Sequence, residues 1–235
     1  MSKGPQIAIL GGARETAQAV DWVLHAGARG QVIWGAGAEA EPLPLAVGSM
    51  DQVTDADGVL DVTHAFDEKT RHSAMAVASQ LPYARMRRAA WHPTDADQWT
   101  EVDSLEQAVA ALPTGARVFA ATGRGSLTAL ATHDGPVFLR QLSAHNLPMP
   151  LAHGQYVFGA APFSVAQEVE LLRRLQIDVV LARNIGGPHS FPKLAAARHL
   201  GLPAVLLRPP ALPDGPHLRS FEDVRTWVRG LRCEP

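Results

Sequence analysis

The stretch Ile7-Ala8-Ile9-Leu10-Gly11-Gly12-Ala13-Arg14-Glu15-Thr16-Ala17 decides the fold. Four apolar residues running into a glycine pair read as a buried parallel strand and its turn. The spacing beyond predicts a helix over 14–25, with Ala17, Val20, Val23 and Leu24 on one face. The same unit recurs along the chain. Strands are predicted over 31–34, 58–63 and 83–88, with helices over 68–80 and from a Ser104 cap to 111. Pro42 and Pro44 make a loop after the second strand, and 90–98 is also loop. The turn Leu112-Pro113-Thr114-Gly115 marks the expected domain boundary, giving lobes 1–112 and 113–235. Beyond it the pattern restarts. Strands are predicted over 117–121, 137–142, 178–182 and 204–207, and helices over 165–175, 192–200 and 221–231. Strand and helix in alternation mean parallel sheets. The expected fold is therefore α/β: two Rossmann-like lobes, each a mainly parallel sheet flanked by helices, with an inter-lobe cleft.

Composition narrows the function classes. Of 235 residues, 46% are hydrophobic and 19% charged, which excludes a disordered or fibrous chain. No apolar run reaches the ~18–20 residues of a membrane helix, and no signal-peptide pattern precedes the first strand. The single cysteine, Cys233, permits no intrachain disulfide, so a cytoplasmic location is expected. A net charge of -2 excludes a globally basic nucleic-acid binder. The 21 cations include only three lysines (Lys3, Lys69 and Lys193), so eighteen are arginines.

Four strand-end turns carry the candidate chemistry. Gly11-Gly12-Ala13-Arg14-Glu15 lacks the G-x-G-x-x-G spacing, and each of its features also suits an ordinary strand-to-helix turn. Asp61-Val62-Thr63-His64 puts a histidine at the end of a buried strand, where it can transfer protons near neutral pH. Thr122-Gly123-Arg124 offers a hydroxyl, a bare backbone and a guanidinium that suit phosphate. Arg183-Asn184-Ile185-Gly186-Gly187 is followed by Lys193. Gly35-Ala36-Gly37-Ala38-Glu39-Ala40 imitates a dinucleotide fingerprint, but Pro42 and Pro44 forbid the helix it needs, so it is read as a decoy. No metal-ligand spacing, nucleophile elbow or P-loop is present.

Taken in order, Ile9-Leu10-Gly11-Gly12 with Glu15, Asp61-Val62-Thr63-His64, Thr122-Gly123-Arg124, and Asn184-Ile185-Gly186-Gly187 with Lys193 resemble the motifs of precorrin-6A reductases. Leu81-Pro82-Tyr83, Trp91 and Gly201-Leu202-Pro203-Ala204-Val205 fall where that family has similar segments, and the match is collinear over about 7–210. Ala13, Ala65 and Ile185 stand where the family usually has Thr, Pro and Ser. The resemblance implies reduction of a ring double bond of precorrin-6A by NADPH, giving precorrin-6B in cobalamin biosynthesis, with cofactor and tetrapyrrole meeting in the cleft. It implies cofactor contacts at Gly11, Gly12, Arg14, Glu15, Thr63, Thr122, Gly123, Arg124, Asn184, Gly186 and Gly187. Arg183 and Lys193 are expected to face the substrate's carboxylates, although the residues alone do not separate carboxylate from phosphate roles. His64 is the expected proton donor, and no metal is expected. Glu39 and Glu41 favour an unphosphorylated ribose, but their loop need not face the ribose, so NADPH is retained. The expected partner is the small-molecule tetrapyrrole, with no nucleic acid or membrane and a monomeric or small homo-oligomeric state. Two readings stay open on the residues alone: an S-adenosylmethionine-dependent tetrapyrrole methyltransferase, and a non-catalytic nucleotide-binding module.

Overall fold

The apolar runs predicted from sequence become the central strands of two separate parallel sheets. The computed structural model describes residues 4–35 and 42–231. The decoy loop beyond Gly35, with Glu39 and Glu41, and Cys233 lie outside the described residues.

The first sheet holds β1 (Gln6–Gly11), β2 (Arg29–Trp34), β3 (Ala46–Val47), β4 (Gly58–Asp61) and β5 (Tyr83–Arg85), all parallel, in the order β3-β2-β1-β4-β5. Helix α1 (Thr16–His25) follows β1, and α2 (Glu68–Val77) follows β4. The central strands β1 and β4 are covered on both faces and bury every residue but Gln6; Ile7, Ala8, Ile9 and Leu10 are fully buried. Asp67 caps α2 by accepting a hydrogen bond from the Thr70 amide at 3.1 Å.

The second sheet holds β6 (Trp99–Val102), β7 (Val118–Ala121), β8 (Val137–Gln141), β9 (Gly154–Phe158), β10 (Val179–Arg183) and β11 (Ala204–Leu207), again parallel, in the order β6-β11-β10-β7-β8-β9. Between them run α3 (Leu105–Ala110), the short α4 (Leu127–Leu130), α5 (Val165–Arg174) and α6 (Pro192–Leu200). The Ser104 cap is present: its hydroxyl accepts from the Gln107 amide at 3.2 Å. The chain ends in α7 (Phe221–Gly230). Among the described residues no helix is long and apolar enough to cross a membrane.

The domain boundary differs from the expected 112/113 turn. One compact unit comprises Met1–Arg87 with Pro210–Pro235, the other Arg88–Pro209. Two long-range pairings account for this. β6 binds the edge of β11, from Trp99 beside Ala204 to Val102 beside Leu207, which draws the residues before the 112/113 turn into the second sheet. After β11 the chain returns to the first unit: the Arg85 amide donates to Pro216 O at 3.0 Å, and the Leu218 amide to Arg85 O at 2.8 Å. Val224 and Val228 of α7 then complete the core formed by Ile7, Ile9, Val20 and Val23. An amphipathic helix goes where its apolar stripe is buried.

Candidate active site

Each sheet has one place where its strand order reverses, and ligands of open α/β sheets bind beyond the carboxyl ends of the strands at such points. In the first unit this place lies between β1 and β4, which pair directly. In the second it lies between β7 and β10. The four motifs singled out in sequence are the four loops that follow these strands.

After β1, a methyl group on Gly11 would lie 2.9–3.1 Å from the side chains of Val32, Thr16 and Trp34, so this glycine serves helix–sheet packing. Gly12 has φ +144, a region disfavoured for side chains, and its missing Cβ faces the His64 amide at 3.5 Å. The Gly12 amide donates to Thr16 Oγ1 at 3.1 Å, that hydroxyl donates to Ala13 O at 2.7 Å, and the Ala13 amide donates to Val62 O at 3.0 Å. These two amides are thus committed within the protein rather than held for a ligand. Arg14 is exposed at the head of the turn, and Glu15 is partly exposed beside it.

The loop after β4 rests on a buried ionic cluster. Asp61 is fully buried, and its Oδ1 accepts from the Thr63 amide at 2.9 Å and the Thr63 hydroxyl at 2.7 Å. Its Oδ2 accepts from Arg71 Nε at 2.8 Å and the Tyr83 hydroxyl at 2.6 Å. Arg71, only 2% exposed, also donates from Nη2 to Thr63 Oγ1 at 3.1 Å. Burial pulls the Asp61 carboxyl upward, but the hydrogen bonds from Tyr83 and Thr63 and the Arg71 charge outweigh it, so its pKa is lowered. Burial, then the Asp61 charge, raises the Tyr83 phenol. Arg87 holds the far side of the loop through Nη2 to Ala65 O at 2.8 Å. His64 sits on the loop so braced. Its Nδ1 accepts from the Phe66 amide at 3.2 Å, which assigns the proton of the neutral ring to Nε2.

In the second unit, Gly123 has φ +76, and a methyl group there would stand 3.9 Å from Arg183 Nη1. That brings the loops after β7 and β10 side by side. Thr122 is buried, and its hydroxyl lies 2.6 Å from Ser126 Oγ, which itself donates to Gly123 O at 2.7 Å. Since Ser126 has one hydroxyl proton, Thr122 is the donor of the pair. Arg124 is exposed and Arg183 partly buried, with burial lowering the Arg183 pKa.

Asn184 is 1% exposed and clamps Trp91: Oδ1 accepts from the Trp91 amide at 2.8 Å and Nδ2 donates to Trp91 O at 2.9 Å. The Trp91 indole donates to Gly187 O at 2.7 Å. Gly186 and Gly187 have φ of +69 and +73. Methyl groups on them would stand 2.1 Å from Ala89 O and 2.3 Å from Arg88 Cδ. Lys193, at the start of α6, donates to Ser190 O and lies 5.7 Å from the Trp91 ring centre. Burial pushes its ammonium down to about 8.

The four predicted motifs therefore follow the strands at the two reversal points, with Lys193 further on at the start of α6, but their residues do not share one role. Exposed or partly exposed groups remain at Gly12, Arg14, Glu15, His64, Gly123, Arg124 and Arg183. Thr63, Thr122 and Asn184 have their polar side-chain groups engaged inside the fold. Sequence reasoning missed Arg71, Tyr83 and Trp91 as parts of the scaffold. One signal was available: Arg71 shares a helical face with Ala74 and Ala78, both buried, so an arginine was due in the core.

Comparisons with known proteins identify the family. The family model described as precorrin-6x reductase CbiJ/CobK matches residues 6–229. A precorrin-6A reductase of Rhodobacter capsulatus is 35% identical, with 83% of each chain covered. One from a Sinorhizobium species is 31% identical over 93% of this chain and 90% of its own. The solved structure of a CobK precorrin-6A reductase superposes with a TM-score of 0.85 at 32% identity, covering 98% of this chain and 99% of the other. Matching motifs, matching fold and relatives aligned over most of the sequence lead to one conclusion: the chain belongs to the precorrin-6x reductase CbiJ/CobK family, the precorrin-6A reductases of cobalamin biosynthesis.

Proposed function

We propose that the chain reduces a conjugated ring double bond of precorrin-6A with NADPH as reductant, giving precorrin-6B, and that His64 donates the accompanying proton. One hydride and one proton add across the double bond, so the two-electron reduction balances. When bound, NADPH supplies the hydride. The observation that carries the reading is the pair of strand-order reversals, each flanked by a turn with positive-φ glycine and an arginine: Gly12 with Arg14, and Gly123 with Arg124. Bare backbone permits close approach of a dinucleotide, and guanidinium groups pair with phosphate in charge-assisted bonds.

The protein's own groups divide the work. In the first unit Gly12 and Arg14, with Glu15 beside them, are the groups offered to the cofactor; in the second unit the corresponding groups are Gly123 and Arg124. Gly11, Thr63, Thr122, Asn184, Gly186 and Gly187 act by shaping the loops. Arg183 and Lys193 face the carboxylates of the tetrapyrrole. His64 is supported by its place, partly exposed on the loop after β4, where an imidazolium can give up a proton and return to the neutral ring. Holding the reactants in register and supplying a proton at the developing carbanion are the two terms a reductase must provide.

The test is turnover of precorrin-6A under anaerobic conditions with deuterium at C4 of NADPH. One NADPH should be oxidised per tetrapyrrole, and the label should appear on a ring carbon of the product. His64→Ala should slow turnover about 10²–10⁴-fold, the scale of general acid catalysis, with NADPH affinity retained. A few-fold loss would return His64 to a structural role, and product without deuterium would defeat direct transfer.

A further inference from the structure

One buried cation in the second unit has no part in the site as read above. Arg140, near the carboxyl end of β8, is 9% exposed, and its guanidinium carbon lies over two rings, 5.1 Å from the centre of Phe119 and 4.2 Å from that of Phe163. A guanidinium has five N–H donors. Among the described residues this one makes a single hydrogen bond, from Nη2 to Glu168 Oε1 at 2.8 Å. Its Nε is buried with no partner. Beside Nη1 the chain carries Gly159, whose missing Cβ would stand 3.6 Å away. Unmade bonds of a buried charged group cost more than those of a neutral one, so the geometry calls for an acceptor.

The surroundings select an anion. Glu168 is 2% exposed and is the carboxylate partner of Arg140, while Lys193 lies close enough to feel the charges of both. Two cations share one carboxylate, so the cluster carries an excess positive charge away from water. Glu168 belongs to the first turn of α5 and Lys193 to the first turn of α6, where helix amides add further positive potential. Both helices begin at the carboxyl edge of the second sheet, the edge that also carries Thr122 and Arg183. Contacts to two aromatic rings restrict the motion of the guanidinium, which favours a directed contact to an oxyanion.

We propose that Arg140, held by Glu168 and seconded by Lys193, is the binding subsite for one carboxylate arm of the tetrapyrrole. This rests on the reading of the substrate as precorrin-6A, a ring bearing several such arms. Arg140 fixes which way round the ring enters, and Glu168 keeps the guanidinium aimed while no ligand is bound. A phosphate of the cofactor shares the same oxyanion chemistry, so the experiment separates the two.

Arg140→Lys retains the charge opposite Glu168 and removes the planar donors. Arg140→Leu with Glu168→Leu removes the ion pair as a unit, so that a folding defect in one variant does not mask the other. For each folded variant, the KM for precorrin-6A at saturating NADPH should rise about 10–100-fold, the scale of a lost charge-assisted hydrogen bond. The dissociation constant for NADPH alone should stay within twofold. Binding of uroporphyrin I, an octacarboxylate read by its absorption shift, tests the subsite without turnover. It should weaken at least tenfold in Arg140→Lys. Unchanged KM and unchanged porphyrin affinity would mean that the unmade donors serve no ligand and would overturn the subsite, as would no porphyrin binding by the unsubstituted protein. A rise in the NADPH constant instead would assign Arg140 to a phosphate and overturn the carboxylate claim. If the unsubstituted protein fails to oxidise NADPH with precorrin-6A while porphyrin binding still depends on Arg140, the functional reading fails and the subsite stands.

Discussion

Replacing Asp61 by asparagine perturbs the cluster beneath the His64 loop with almost no change of shape. The carboxylate accepts four hydrogen bonds, two from Thr63 and one each from Arg71 and Tyr83. Asparagine can keep its oxygen toward Thr63, but its NH₂ then meets the Arg71 Nε–H, donor against donor. Tyr83 can turn its hydroxyl and accept. The Arg71 charge, 2% exposed, is left without its counterion. Breaking a buried pair in this way costs about 3–5 kcal/mol. Tyr83→Phe removes one bond to a charged acceptor and should cost about 1.5–3 kcal/mol. The double variant Asp61→Asn with Arg71→Met discharges both partners and should be less destabilised than the sum of the singles. The assay is urea unfolding, compared at the midpoint and slope. The pH dependence follows the same logic. The folded Asp61 pKa is lowered, so its stabilisation is present above the ordinary aspartate value of 3.8 and is lost as pH falls through the folded value. Asp61→Asn should therefore lose less stability than the unsubstituted protein on acidification. A cost below about 1 kcal/mol for Asp61→Asn, or strict additivity in the double variant, would refute the claim that this pair holds the loop.

Two further outcomes follow from the second unit. Gly123→Ala should cost about 1–3 kcal/mol, from its positive-φ extended backbone alone (φ +76, ψ 168), because its nearest obstacle is 3.9 Å away. Gly186→Ala should cost clearly more, because its methyl would sit 2.1 Å from Ala89 O, and equal melting temperatures for the two variants would count against the packing argument. Lys193 falls from 10.5 to about 8 on folding, so between those values the unfolded chain binds a proton that the folded one has released. The stability of the unsubstituted protein relative to Lys193→Met should therefore rise with pH across that window in urea titrations, and a flat difference would refute the burial of this ammonium.

The class of fold was legible in the residue order, and so was the placing of four turns at the ends of strands. Ile7-Ala8-Ile9-Leu10 and Val179-Val180-Leu181-Ala182 are covered on both faces of their sheets, so each shows as a continuous apolar run. Glycine turns after such runs mark the carboxyl ends of strands, where ligands of this architecture bind. β6 and β9 left no comparable run, because an edge strand covered on one side keeps polar residues such as Thr100, Glu101 and Gln155. Without β6, the proline-glycine turn at 113–115 stood out as the boundary. Only the pairing of β6 with β11, and of residues 216–218 with β5, assigned those segments to their units. The same holds within the site. Asp61, Arg71 and Tyr83 meet from a strand, a helix and a second strand, and Asn184 reaches Trp91 across 93 positions of sequence. A local pattern records which face of an element is buried. It holds no information about which distant polar group satisfies another, and so only the tertiary structure shows which motif residues keep exposed groups and which are engaged inside the fold.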